Sequence, residues 1–575
     1  MDVQNRMQRG FTPGSSPLNA AYILEEFYRE NADKKSESHV ILLDAKSAFD
    51  VVNHKHLLRR VYHAGITDGH WELLKSLHSQ SASVVKYGYQ VSELFDVFQG
   101  VRQGGILSTD LYKIYINPLL DQLENTGKGG KIGTITVNNS TCADDVCLMS
   151  DTRDDTQLLI NIAASFAKEE RYLLQPTKTV ALKLSGSKRK IKDSLSDQCF
   201  SMNDGNLANV NSAVHLGITR TTSVQETAEN NTMGNIVKAR RAMYSLMGAG
   251  LHGHNGLDHE TSITLYRVYV LPVLTYGIEL FTPSQKQIEV LERFHKKSLK
   301  QILSLPMNTA DPSVYILSGL LPMEALYHLK VLNFFNNICN QKSDSTEREI
   351  FERQIMVKSN KSNSWACIIK PILSKYELSE VETYLNSPMT KNQWKSTVNV
   401  KVVQWWKKNI ESRTVTYSSL KFMNPVYTPG KFHPVLRVGC SSVLEATRIP
   451  ARLRLLTGNY MLQSNRHKFN QNEVSPVCRL CVSGAETVEH FLLLCPSLES
   501  VRLPGMNEII SILEETSYTH LFQTYDQQIQ LLLDYSCVLP EKVWSDEFVT
   551  RLEFHIRRLI FHLHTMRYRL YSNLH

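Results

Sequence analysis

Long apolar runs, paired cysteines and a strong charge of either sign are all scarce in this chain, and each scarcity removes a class of protein. The most apolar stretch, LYRVYVLPVLTYGIELF, is interrupted by Arg267, Pro272 and Glu279, so it lacks the unbroken length that a membrane-spanning helix needs. The opening residues, MDVQNRMQRGF, are polar and lack the apolar centre of a secretory leader. Ten cysteines in 575 residues, mostly standing singly, do not make a secreted disulfide framework and fit a reducing, intracellular setting. The net charge is only +8, which permits a nucleic-acid partner without requiring one, because placement of charge matters more than its total. What remains is an ordinary globular composition, 42% hydrophobic and 21% charged, which argues against wholesale disorder. The length predicts roughly two to four domains. No internal repeat is visible.

The pattern changes once along the chain. Residues 15–30 predict a helix opening at a serine, and HVILLD a short buried strand ending at Asp44. Residues 53–80 and 105–125 return to helical spacing, with strand-turn-strand in SVVKYGYQVSELFDVFQG between them. Two strand-like runs, ITVNN and CADDVCLM, follow a Gly/Lys loop. A helix near 155–172 and the run TKTVALKLS complete an alternating pattern that ends around residue 220. From about 225 to 345 long amphipathic helices take over. The Lys/Ser-rich stretch VKSNKSNSW predicts exposed connections, and VTRLEFHIRRLIFHLHTMRYRL a closing basic helix.

The sharpest chemical signal is acidic. Asp44 ends one apolar strand, and Asp144 and Asp145 interrupt another. Carboxylates in a buried strand need something positive to neutralise them. Mg²⁺ suits the role, because it prefers oxygen ligands and is commonly held by one or two carboxylates plus substrate phosphates. Were the two strands neighbours, Asp44 and Asp144 could hold two ions roughly 3.5–4 Å apart, the arrangement for in-line phosphoryl displacement. The alternative is three solvated carboxylates on exposed turns.

ILLDAKSAFDVVNHKHLLRRVYHAGI, QGVRQGGILSTDLYKIYINPLL, TCADDVCLMS, LLQPTKTVAL and VHLGI resemble, in order, the five sequence blocks of reverse transcriptases in the version used by non-LTR (LINE-type) retrotransposons. QRGFTPGSSPLNAAYILEEF resembles the fingers segment that precedes the first block. The resemblance covers residues 8–345, with a further piece near residue 478. It implies an α+β right-hand polymerase. Residues 1–38 would be partial fingers and 39–222 the palm, an antiparallel sheet with helices, with the remaining fingers elements. Residues 223–345 would be a helical thumb, 346–470 a helical linking region, 471–510 a zinc knuckle and 511–575 basic helices. The early fingers strands are expected to be missing, as in an N-terminally truncated element, and no endonuclease region is recognised.

The resemblance also implies roles. Asp44 and Asp144 would bind two Mg²⁺ ions, with Asp145 supporting the same site. Phe49 would lie under the nucleotide sugar and exclude a 2′-hydroxyl. Arg102 would contact phosphate, and Gln103 and Gly104 would lie against the incoming nucleotide, where a residue without Cβ lets the backbone approach. Lys178 would protonate or stabilise the leaving pyrophosphate. The implied reaction is addition of deoxynucleoside triphosphates to a primer DNA 3′-hydroxyl on template RNA, in the nucleus, with the cytoplasm as the other compartment. Three positions depart from the family pattern: Cys142 replaces an aromatic, Thr109 a proline and Gln175 an asparagine.

Two further features lie downstream. In KQIEVLERFHKKSLKQIL, Ile288, Leu291, Phe294, Leu299 and Ile302 fall on one helical face and Arg293, Lys296, Lys297 and Lys300 on the other. The basic stripe could follow a nucleic-acid backbone or be an ordinary solvated face. Cys478, Cys481, His490 and Cys495 are spaced C-x₂-C-x₈-H-x₄-C, three thiolates and an imidazole that suit one structural Zn²⁺. The cluster resembles the C-terminal knuckle of non-LTR elements, which implies nucleic-acid handling.

Overall fold

The computed structural model describes residues 4–102, 104–184, 199–203, 205–251, 256–440, 442–469, 473–516, 518–544 and 547–573. The chain forms two compact units. The first comprises residues 1–233, 277–284 and 328–398, and the second residues 234–276, 285–327 and 399–575. The units do not follow linear boundaries: residues 223–345 contribute to both.

The first unit is a mixed helix-and-sheet body. Its centre is β1 (Ser38–Leu43), flanked on one side by β3 (Asp145–Ser150) and then β2 (Asn139–Cys142), and on the other by β4 (Val180–Leu184) and β5 (Ala208–Asn209). All pairs are antiparallel except β4 with β5. Every residue of β1 is buried, which is why SHVILL reads as a continuous apolar run rather than an alternating one. Ile41, Leu43, Val146 and Leu148 share a core with Leu57 of helix α2 (His54–His63), Leu74 of α3 (Asp68–His78), Leu111, Tyr115 and Leu119 of α4 (Ser108–Asn125) and Leu159, Ile160 and Phe166 of α5 (Arg153–Glu170). Thr152 caps α5, its hydroxyl accepting from Asp155 N at 3.2 Å, and Asp154 and Asp155 favour the positive end of that helix.

The N-terminal helix α1 (Pro17–Lys34) closes against late parts of the chain. Glu26, fully buried, accepts hydrogen bonds from Trp365 N (2.6 Å), Ser364 Oγ (2.8 Å) and Gln354 Nε2 (2.8 Å). Trp365 Nε1 donates to Glu279 O at 2.6 Å. Arg9 forms a buried ion pair with Glu347. The pairing is obligatory, because a buried polar group left without a partner costs about 1–3 kcal/mol.

The second unit is helical among its described residues. Arg452 and Glu553, both fully buried, pair between helices Val443–Leu456 and Glu547–Ser572. Helix Gln285–Ile302 buries Ile288, Leu291, Leu299 and Ile302 as its periodicity predicts. Its polar face departs from the open basic stripe read from the sequence. Lys300 is buried, with Nζ 3.0 Å from Asp311 Oδ1 and 2.9 Å from Met307 O, and Lys296 Nζ lies 2.6 Å from Asp311 Oδ2. Asp311, at the start of the next helix (Asp311–Ser318), pairs with both, one carboxylate against two ammonium groups. Arg293 and Lys297 are exposed. No helix among the described residues is long and apolar enough to cross a membrane.

Candidate functional site

Strand register brings Asp44 and Asp145 side by side. Antiparallel pairing of Leu43 with Val146 puts the next residue of one chain, Asp44, beside the preceding residue of the other, Asp145. Asp145 in turn pairs with Cys142 across the β2–β3 hairpin. The two-residue turn between them is Ala143-Asp144, with Ala143 at φ 59°, so Asp144 stands exposed at the tip. Asp145 is exposed as well, not buried in its strand; partial desolvation by the surrounding protein, then the charges of Asp144 and Asp44, raise its carboxyl above the ordinary range. No Lys, Arg or His among the described residues forms an ion pair with any of the three. The set offers an oxygen-only donor list of the kind a hard divalent cation takes, although among the described residues its ligand atoms are not gathered as tightly as those of Cys478, Cys481, His490 and Cys495.

Asp44 and Asp145 line a cavity of about 330 Å³ together with Lys178, Val180 and Ser212–His215. Lys178 arrives there because its turn is tied to the backbone of Asp44: Gln175 N donates to Asp44 O (2.9 Å) and Asp44 N to Thr179 Oγ1 (3.1 Å). The fourth wall is a hairpin of Ser212–His215 and Ile218–Thr221, turned by Leu216 and Gly217, both at positive φ, as a tight hairpin requires.

Phe49 follows Asp44 on the loop out of β1. Its ring stacks on Tyr112 of α4 at 4.3 Å and 20°, and meets the edge of Phe11 at 6.4 Å and 87°. Burial first, then neighbouring Tyr172 and Asp144, raise the Tyr112 hydroxyl well above its ordinary value. Val101 N donates to Phe49 O (2.8 Å) and Gly100 N to Val52 O (2.8 Å). These bonds tether the block containing Arg102 and Gly104 to Phe49. Arg102 is exposed and lines a second cavity, of about 540 Å³, with His54, His78 and Ile106. Gly104 has φ 80°, where a side chain would be strained. Gln103 lies outside the described residues.

Residue patterns did not single out two members of this site. Tyr112, which supports Phe49, reads as an ordinary core position of α4. His215 is 4% exposed, neither ring nitrogen has a hydrogen-bond partner among the described residues, and burial with nearby Arg220 lowers its pKa to about 3. The signal was available for His215: a polar residue within the short VHLGI block.

In the second unit, Cys478, Cys481, His490 and Cys495 bring their ligand atoms within 4.8 Å of one another. Cys478 Sγ and Cys495 Sγ are 4.0 Å apart, and Cys481 Sγ lies 3.3 Å from His490 Nε2. A tetrahedron with Zn–S bonds of about 2.3 Å has S–S edges of about 3.8 Å, so the cluster fits such a centre and not a disulfide. A turn supplies the first pair, with Val482 N donating to Cys478 O (2.9 Å), and a single π-turn, His490–Leu494, supplies the second. Burial, then the sulfurs of Cys478 and Cys481, raise the Cys495 thiol to about 12, whereas at Cys481 burial is outweighed by hydrogen bonds with Ser483, Cys478 and Cys495, which lower its thiol. Arg502 donates to Cys495 O at 3.0 Å.

Residues 3–218 match the family "Reverse transcriptase (RNA-dependent DNA polymerase)". A retrovirus-related Pol polyprotein from the type-1 retrotransposable element R2 of Popillia japonica is 22% identical over 299 residues, 50% of this chain and 46% of the relative. The corresponding polyprotein of element R2DM from Drosophila melanogaster is 25% identical over 34% of this chain and 18% of its own length. That of element R2 from Nasonia vitripennis is 27% identical over 32% and 18%. The chain thus spans less than half the length of these relatives. A telomerase structure from Candida albicans aligns over 64% of this chain and 54% of its own at 13% identity and a TM-score of 0.30; at that score no fold relationship follows. Residues 3–218 thus match a reverse transcriptase domain, and the relatives similar to this chain are Pol polyproteins of R2 retrotransposable elements.

Proposed function

We propose that this chain is an RNA-directed DNA polymerase that extends a primer 3′-hydroxyl with deoxynucleotides on an RNA template, in the nucleus. The observation that carries the reading is the register that sets Asp44 beside Asp145, next to the Asp144 turn, with none of the three in an ion pair with a described Lys, Arg or His. In this reading residues 39–222 are the palm and 223–345 contain the thumb. Asp44 and Asp144 hold Mg²⁺, with Asp145 adding charge at the same place. Magnesium supplies Lewis acidity at the phosphoryl group and lowers the pKa of the attacking hydroxyl. Lys178, in the same cavity as Asp44 and Asp145, donates a proton or positive charge to the departing pyrophosphate. Phe49, braced by Tyr112, closes the pocket against a 2′-hydroxyl, and Arg102 and Gly104 meet the nucleotide from the tethered loop. Zinc held by Cys478, Cys481, His490 and Cys495 stiffens a nucleic-acid-binding knuckle. Exposed Arg293 and Lys297, not buried Lys300, are the members of the basic stripe left for phosphate contact.

Primer extension on a poly-A template with Mg²⁺ tests this. The wild-type chain is expected to extend the primer, and Asp144→Ala to lose extension while keeping template–primer affinity. Template binding without extension by both proteins would instead identify a catalytically inactive nucleic-acid-binding remnant.

A further inference from the structure

The turn that carries Asp144 is held by a side chain from the other end of the domain's sequence. Gln8 is fully buried, and its amide is committed to Ala143. Ala143 N donates to Gln8 Oε1 at 2.8 Å, and Gln8 Nε2 donates to Ala143 O at 3.2 Å. Gly10 N donates to the same Oε1 at 2.8 Å. A short parallel bridge continues the contact, with Arg9 N to Thr141 O at 2.8 Å and Thr141 N to Met7 O at 3.3 Å. The approach is so close that a Cβ on Gly10 would lie 2.3 Å from Ala143 N and 2.8 Å from Ala143 Cα. Asn5 anchors the segment on α4 through Asp121 (2.7 Å) and Glu124 (2.6 Å), and Arg9 anchors it on Glu347.

Resting on the polymerase reading of this site, we infer that Gln8 is a positioning residue for Asp144, and that Gly10 is the residue that lets the clamp close. Ala143 occupies the left-handed region, which L side chains adopt at a cost, so the turn needs outside support to persist. Gln8 binds both peptide groups of Ala143, and the second of them is the peptide whose N–H belongs to Asp144. Locking that plane sets where the Asp144 carboxylate starts from, and Asp144 itself is exposed. Only a primary amide on this stem meets both demands. Glutamate accepts but cannot donate to Ala143 O, and asparagine is one methylene short.

The test uses the full chain with Gln8→Ala, Gln8→Glu and Gly10→Ala, reading primer extension, Mn²⁺ binding by electron paramagnetic resonance and thermal melting, with Asp144→Asn as reference. Misplacing a catalytic group by about 1 Å costs on the order of 10²-fold in rate, so kcat is expected to fall by about that factor in folded Gln8→Ala and Gln8→Glu. Mn²⁺ binding should weaken, while the KM for template–primer stays within about twofold. Near-isosteric Gln8→Glu keeps the proposal testable if the alanine variant does not fold. Variants that melt earlier but keep wild-type kcat and Mn²⁺ binding would make Gln8 merely structural and overturn the inference. So would Mn²⁺ binding indifferent to Asp144→Asn, since the clamp would then have no metal site to serve. A wild-type chain that extends no primer, yet binds Mn²⁺ less well once Gln8 is replaced, would leave the clamp standing and remove the polymerase reading instead.

Discussion

Replacing Phe49 separates a steric role from a packing role, and the structure gives a magnitude for each. The ring contributes a stacked contact with Tyr112 and an edge contact with Phe11, each worth about 0.5–1.5 kcal/mol. Phe49 is only partly buried against the core, so Phe49→Ala should cost about 1–3 kcal/mol of stability, below the full 3–5 kcal/mol of a buried phenylalanine. Discrimination against one added hydroxyl is a separate quantity, and a pocket wall that rejects a group of that size supplies about 1–3 kcal/mol, or 10–200-fold in relative kcat/KM. The assay is single-nucleotide incorporation with matched deoxy- and ribonucleotides, for wild type, Phe49→Tyr, Phe49→Val and Phe49→Ala, with melting measured in parallel. Phe49→Tyr keeps the flat ring and should keep the deoxynucleotide preference. Val and Ala should lower it progressively, with ribonucleotide use rising while deoxynucleotide use persists. If Val and Ala retain deoxynucleotide activity and leave the ratio unchanged, the ring is not the gate and Phe49 belongs to the core alone.

Three other outcomes are expected. One zinc per chain should be measured by atomic emission; Cys478→Ser or Cys495→Ser should abolish it and lower the melting temperature, and a zinc-free preparation with native melting would refute the site. Glu292 has its pKa raised to about 7 by burial, aided by Asp311 and opposed by Met323 N, Lys296 and Arg413. Its folded pKa exceeds the ordinary 4.5, so its contribution is full below about pH 4.5 and is lost as pH rises towards 7. Urea unfolding from pH 5 to 8 should therefore show a decline in wild type that Glu292→Gln flattens. Arg452→Met leaves buried Glu553 with Arg557 as its remaining cation and should cost about 3–5 kcal/mol in urea unfolding, whereas Glu553→Leu strands both buried arginines and should cost more; a Glu553→Leu chain more stable than Arg452→Met would refute that account.

Local chemistry was legible in the sequence. The apolar run before Asp44 is β1, the break in CADDVCLM is the β2–β3 turn, and the cysteine spacing gathers four ligand atoms. Pairwise geometry was not. Nothing in KKSLK reports that Asp311 returns from the next helix to bury Lys300, because helical periodicity assigns a face without saying what packs against it. Gln8 and Ala143 stand 135 positions apart, and a glutamine before an arginine and a glycine carries no mark of the turn it will hold. Gly104 was readable as a glycine in a block, but its φ of 80° belongs to the folded loop.

The way α1 is completed bears on how the protein is made. Its buried Glu26 takes its hydrogen bonds from residues 354–365, and the first unit as a whole draws on the chain up to residue 398. During translation at about 5–20 residues per second, the first 233 residues leave the ribosome and then wait roughly 8–33 s for their closing segment. In that interval α1 carries a carboxyl without its hydrogen-bond donors, so the nascent sheet is a natural client for chaperones. A shortened chain ending near residue 218, where the family match stops, would hold that unfinished state permanently.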